Sequence, residues 1–317
     1  MEFGKAPTES INGIDFTLPP DGLQTLETLK GEPADAFSSF VGCAKWGRKE
    51  WVNMIYPAKT KEADFLDQYV RHFNSIELNA VFYSIPGPDL IRKWKEKAAE
   101  NHTQEFVFCP KFSRTISHIK RLKDAEEATD LFLSSIYEFG EYLGPCFLQM
   151  GDNFGPKNME VLEKFLTYLP VDLDVFVEVR HEGWFADPKV RQELFAMLSR
   201  LKKGAVITDA SARRDCVHME LPTSQAFIRF VGNGSDFQAS DEARIDEWVQ
   251  RLKIWKAKGL EKLYFFLHQH DEKDTPYIAD YTIRAFNEHL GTAIPTVTFL
   301  SEKTSGKEDM TKQRSLF

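Results

Sequence analysis

The chain has 317 residues, 42% hydrophobic and 28% charged, which excludes wholesale disorder, a collagen-like repeat and a disulfide scaffold. Its 26 Phe, 9 Tyr and 6 Trp supply the aromatic area for one large core. Forty Lys and Arg against 48 Asp and Glu leave a formal charge of -8, which argues against general binding of duplex nucleic acid, so an anionic partner has to be met by a local pocket.

Residues 1–36 are rich in Pro, Gly, Thr and acidic residues, and read as an N-terminal extension with one short helix around Leu23, Leu26 and Leu29. They begin MEFGKAPTES, without a cationic patch followed by an apolar run, and no stretch of about 18 apolar residues occurs in the chain. Neither secretion nor membrane insertion is expected. From 37 to 300 short apolar runs alternate with amphipathic stretches, the rhythm of successive βα units. The runs are 40–46, 75–79, 106–112, 146–150, 174–180, 204–210, 226–232 and 262–269, with helical patterns at 62–73, 89–100, 124–143, 158–169, 188–201, 241–258 and 277–290. Asp187 before Pro188 and Ser240 before Asp241 mark two helix starts. Eight strands with their helices over about 250 residues predict a single α/β domain, a (β/α)8 TIM-type barrel. An open doubly wound sheet is the alternative, disfavoured because no G-x-G-x-x-G follows a strand. Residues 301–317 form a flexible polar tail by composition.

Cys43, Cys109, Cys146 and Cys216 show neither C-x-x-C nor zinc-finger spacing, and three lie in apolar runs as small buried thiols. A reducing, cytoplasmic setting is expected. In a barrel of this kind the site is built at the C-terminal strand ends. Those ends carry Lys45 and Trp46, Glu77 and Asn79, Lys111, Gln149, Glu178 and Arg180, Asp209, Arg229, and His268 with Gln269. Residues two apart on a strand share a face, so Glu77 projects with Asn79 and Glu178 with Arg180. Each buried charge in that ring requires a partner or a substrate.

The stretches IELNAVFYSIP, FCPKFSRTISH, LGPCFLQMGDNFGP and FVEVRHEGWF, followed by ITDA and FIRF, resemble the successive motifs of the YecE-like proteins, the family called domain of unknown function 72. The resemblance covers roughly 41–290 and implies a (β/α)8 barrel, but no reaction. Glu77, Asn79, Phe82 and Tyr83 fall on the family's E-x-N-x-x-F-Y pattern, and Lys111 and His118 on its K…T-H pattern, with Ser117 in place of Thr. Gln149, the E-x-R-x-x-W set Glu178, Arg180 and Trp184, and Asp209 and Arg229 also match. Three places depart: Lys45 and Arg48 make the opening loop cationic, Phe230-Val231-Gly232 lacks the family's His after Arg229, and His268-Gln269-His270 replaces a terminal Asn-Asn.

Glu77, Glu178 and Asp209 are the candidate catalytic residues, because two carboxylates in unlike surroundings divide general acid from general base work. Arg180 shares a face with Glu178 and favours its ionised form, whereas burial among Ile76 and Leu78 is expected to raise the pKa of Glu77. Lys45, Lys111, Arg180 and Arg229 would orient a phosphate or carboxylate, with Asn79, His118, Gln149 and His268 as further polar contacts and Trp46, Tyr83 and Trp184 as stacking surfaces. The expectation is a hydrolase or lyase for a phosphate-bearing, sugar-like or nucleotide-derived ligand, without metal or cofactor. The competing reading is a closed structural ion-pair network. The loop Gly232, Asn233, Gly234, Ser235 is a phosphate-loop candidate or a plain turn. A metal on His268, His270 and nearby carboxylates is weighed against the cationic mouth, and the aromatics against simple packing on the barrel rim. A different class of function is an interaction protein: Gln313, Leu316 and Phe317 in the terminal QRSLF resemble the pentapeptide that enters the bacterial sliding clamp.

Overall fold

The computed structural model describes residues 4–300. Eight parallel strands run in chain order: β1 Ser38–Cys43, β2 Ser75–Leu78, β3 Val107–Pro110, β4 Cys146–Gln149, β5 Val175–Glu178, β6 Gly204–Asp209, β7 Gln225–Val231 and β8 Lys262–His268. Each of the eight apolar runs is a strand. The order β3-β2-β1-β8-β7-β6-β5-β4 is continuous, and parallel bridges from Phe108 to Leu143 and from Lys111 to Phe147 bring β3 to β4, so the sheet is a nearly closed barrel.

Alternation assigns each side chain to the barrel interior or to the helices. Phe40, Val107, Cys109, Phe147, Phe176, Val206, Phe227, Tyr264 and Phe266 form one interior cluster. Phe227 lies 5.4 Å from Phe147, 5.3 Å from Phe176 and 4.9 Å from Phe266, so aromatic rings fill the barrel beneath its C-terminal layer. The opposite faces of the strands meet the larger core under the helices.

The helices that position the site are α1 Leu23–Thr28, α2 Phe65–Tyr69, α3 Pro88–Asn101, α4 Glu126–Ile136, α5 Met159–Tyr168, α6 Pro188–Arg200, α7 Gln238–Ala257 and α8 Thr275–Leu290. Asp187 caps α6 by accepting from Lys189 N at 2.9 Å, with Pro188 at the first helical position. Ser240 is not a cap: α7 begins two residues earlier, and Asp241 turns back to the loop before it.

Between β6 and β7 the chain forms only a three-residue helical turn, Arg214–Cys216. The N-terminal segment occupies that place. Gly22 N donates to Met219 O at 2.9 Å, and Thr25 Oγ1 both donates to Met219 O and accepts from Leu221 N. Asp21 accepts from Arg251 and Trp255 on α7, and Leu18 N donates to Glu247. Among the described residues no helix is long and apolar enough to cross a membrane.

Candidate functional site at the barrel mouth

One charged layer caps the aromatic filling. Arg229, near the end of β7, donates from Nε and Nη2 to Glu77 at 2.7 and 2.8 Å and from Nη1 to Glu178 at 2.8 Å. Glu77 also accepts from Asn79 Nδ2 at 2.8 Å and pairs with His268 Nε2 at 3.1 Å, while His268 Nδ1 lies 3.4 Å from Glu272. Glu178 accepts further from Gln149 Nε2 at 2.8 Å, Arg180 Nε at 2.9 Å and Thr208 Oγ1 at 3.2 Å. Gln149 turns its amide oxygen to Lys111 Nζ at 2.7 Å. A single polar chain thus crosses the barrel from Glu272 to Lys111.

The protonation states follow from this wiring. Burial works to raise Glu77, but Arg229 and His268 outweigh it and hold the carboxyl well below its usual range. Burial likewise opposes the charge on Glu178, and Arg180 and Arg229 bring it down to about 2. The expected rise at Glu77 is therefore corrected: both carboxylates are ionised, and the contrast needed to divide acid from base between them is absent. Burial also opposes charge on His268, yet Glu77 and Glu272 raise its pKa. Lys111 moves the other way. Burial, then repulsion by Arg229, lowers it to about 7 against the pull of Glu178 and Glu77. Its ammonium lies 4.2 Å from the centre of the Phe82 ring and 5.8 Å from that of Phe147, and among the described residues it makes no ion pair.

Asp209 is not in this layer. Thr208, one residue earlier on β6, points inward to Glu178, so Asp209 faces the helices, where Arg214, Arg244 and the Trp248 indole bind its carboxylate. Trp184 is fully buried, donates to Phe154 O at 2.6 Å and stacks on the Phe154 ring. Lys45 is exposed beyond the end of β1, and Trp46 packs edge-on against Trp94 of α3 at 5.3 Å. The four-residue turn Ala80–Tyr83 leaves Tyr83 78% exposed and sets Phe82 edge-on to both Tyr83 and His118, each at 5.1 Å.

The loop after β7 already holds an anion of its own. The Asp241 carboxylate accepts from Asn233 N at 2.7 Å and Asn233 Nδ2 at 3.0 Å, Gly234 N donates to Gln269 Oε1, and Gly232 N to His268 O. The backbone donors of Gly232, Asn233 and Gly234 are thus taken, and the plain-turn reading describes them, with Gly234 at φ 101° before Ser235. No group of three or more His, Cys, Asp and Glu among the described residues is arranged to hold a metal ion. Gln313, Leu316 and Phe317 lie outside the described residues. Thr208, Phe82 and Glu272 were not among the expected site residues; Phe82 alone carried a signal, as part of the E-x-N-x-x-F-Y pattern.

Fold and site together define a (β/α)8 barrel with a buried charged network at the C-terminal ends of its strands. The chain belongs to the family described as protein of unknown function DUF72, whose profile matches residues 40–299. It is 30% identical to UPF0759 protein YecE of Escherichia coli K12 over 255 residues, 75% of this chain and 88% of that protein. UPF0759 protein YunF of Bacillus subtilis 168 is 27% identical over 165 residues, 50% of this chain and 56% of that one. Among solved structures, the DUF72 family protein EF0366 of Enterococcus faecalis V583 superposes with a TM-score of 0.62 at 16% identity, covering 82% of this chain and 98% of that one. The DUF72 family protein TM1631 of Thermotoga maritima MSB8 gives 0.57 at 23%, covering 79% and 99%.

Proposed function

We propose that the mouth is an acid/base site for an anionic substrate, a metal-independent hydrolase or lyase acting on a phosphate-bearing, sugar-like or nucleotide-derived molecule, in which Lys111 and Arg180 meet the anion. Glu77 and Glu178 leave the catalytic role and become the counter-charges that hold Arg229 and Arg180 in place. The observation that carries this is the surroundings of Lys111: an amide oxygen and two ring faces surround its ammonium, with no carboxylate in ion-pair contact. A ligand anion completes that set, and a lysine near neutrality is suited to moving a proton.

Inorganic phosphate should stabilise the native state by about 2.7 kcal/mol at a hundred times its dissociation constant, and so raise the melting temperature. Because the cation is the binding form, the effect should shrink as pH rises through the Lys111 pKa of about 7. Lys111→Met should lose it. Equal stabilisation of wild type and Lys111→Met would end this reading.

A second reading concerns the tail, where Gln313, Leu316 and Phe317 follow a polar stretch. A peptide of residues 312–317 should bind a bacterial sliding clamp at micromolar strength, about -8 kcal/mol. Leu316→Ala with Phe317→Ala should abolish it, and no binding by the unchanged peptide removes the proposal.

A further inference from the structure

The geometry points to His118 Nε2 as the atom of the mouth that accepts a proton, and to Ser117 as the positioning residue that fixes the imidazole for that task; this rests on the acid/base reading above. His118 sits on a π-helical turn, Thr115–Ile119, that follows Lys111 in the chain. Such turns are rare and often mark functional positions. Ser117 Oγ donates to Ser113 O at 2.9 Å and lies 2.9 Å from His118 Nδ1. A carbonyl oxygen can only accept, so the single hydroxyl hydrogen lies toward Ser113, and the Ser117 oxygen turns a lone pair to the ring. Two facing lone pairs would repel. The hydrogen of the neutral imidazole therefore sits on Nδ1, and Nε2 presents a lone pair.

Nothing among the described residues takes that lone pair. The Phe82 ring meets the imidazole edge-on at 83°, which holds its plane. The bare backbone of Gly151 passes beside it, where a Cβ would stand 3.8 Å from Nε2. Burial, then Lys111, Arg180 and Arg114, lowers the pKa of the ring, with Asp152 acting in the other direction. The imidazole is neutral at neutral pH, beside the cations assigned to the anion. In a hydrolytic step Nε2 takes a proton from water as the water oxygen bonds to the electrophilic centre. The leaving group departs with the bonding pair, and the imidazolium returns the proton to it. Glu77 and Glu178 are poor competitors, since each of their oxygens already accepts at least one hydrogen bond.

The imidazole nitrogens of the 15N-labelled intact protein report the tautomer directly, with His118 assigned by the signal lost in His118→Asn. The expected result is a neutral ring protonated at Nδ1, titrating below the ordinary histidine value. Ser117→Ala should shift the ring toward the Nε2–H form, and Ser117→Thr should restore Nδ1–H. Diethyl pyrocarbonate, which acylates accessible neutral imidazole nitrogens, should modify His118 at neutral pH. It should spare His218, whose nitrogens are engaged by Val206 O and Glu220 N. Finding His118 protonated at Nε2, charged at neutral pH, or as unreactive as His218 overturns the assignment. Inorganic phosphate should slow the acylation; an unchanged rate with the Nδ1–H tautomer intact counts against the anion reading and leaves His118 standing.

Discussion

With Nε and Nη2 on Glu77 and Nη1 on Glu178, Arg229 neutralises two carboxylates that burial alone would protonate. Replacing it with Met removes a charge from a fully buried set and leaves two acids without their shared partner, a change that costs about 3–5 kcal/mol in comparable sites. Urea unfolding at neutral pH should show a loss of that order. Acid tests the same network in the wild type. Glu178 titrates lower folded than unfolded, so its stabilisation is present above the ordinary carboxylate pKa and disappears as pH falls from there toward about 2. Melting temperature should fall over that window, and Glu178→Gln should flatten the fall. The types of these residues are legible in the sequence because charges embedded in apolar runs demand partners. Their pairing is not, since Glu77 and Arg229 are 152 positions apart and only barrel closure brings them together.

At the scale of elements, the eight strands are legible because each is a short apolar run ended by a polar residue. Which face a terminal residue takes is harder to read. Phe40, Phe147 and Phe227 fill the interior while Val41, Leu148 and Ile228 meet the helices, and both faces are apolar, so alternation leaves no trace on either side. That is why β6 misleads: its charged Asp209 draws attention, but Thr208 is the inward residue, and one step along a strand changes the face. Asp209→Asn should therefore lower stability by about 3 kcal/mol, as Arg214 and Arg244 lose their shared anion. The rise in melting temperature with phosphate should persist in this variant if the barrel still folds. Loss of the phosphate effect at wild-type stability would return Asp209 to the site.

At the scale of the molecule, the first 36 residues look like an appendage because they lack a strong period, yet the described part of them, from residue 4 on, completes the barrel's outer ring. The β6–β7 connection supplies no α-helix of its own, and α1 with the segment before it lies against α6, α7 and the chain around Met219. Phe16 places its ring 5.3 Å from the Arg214 guanidinium and 4.6 Å from that of Arg244, the two cations that hold Asp209, so the segment braces the outer side of β6. Asp21 Oδ1 binds Arg251 at 2.6 Å and the buried Trp255 indole at 2.9 Å. Deleting residues 1–22 removes both attachments and uncovers Trp255 and the chain near Met219. Asp21→Ala alone strands the Trp255 donor, at about 1–3 kcal/mol. The deletion should cost more than that single change, and its urea slope should change as well, because apolar surface covered in the native state becomes exposed before unfolding. Full stability with an unchanged slope after deletion would make the segment the separable extension that its composition suggests.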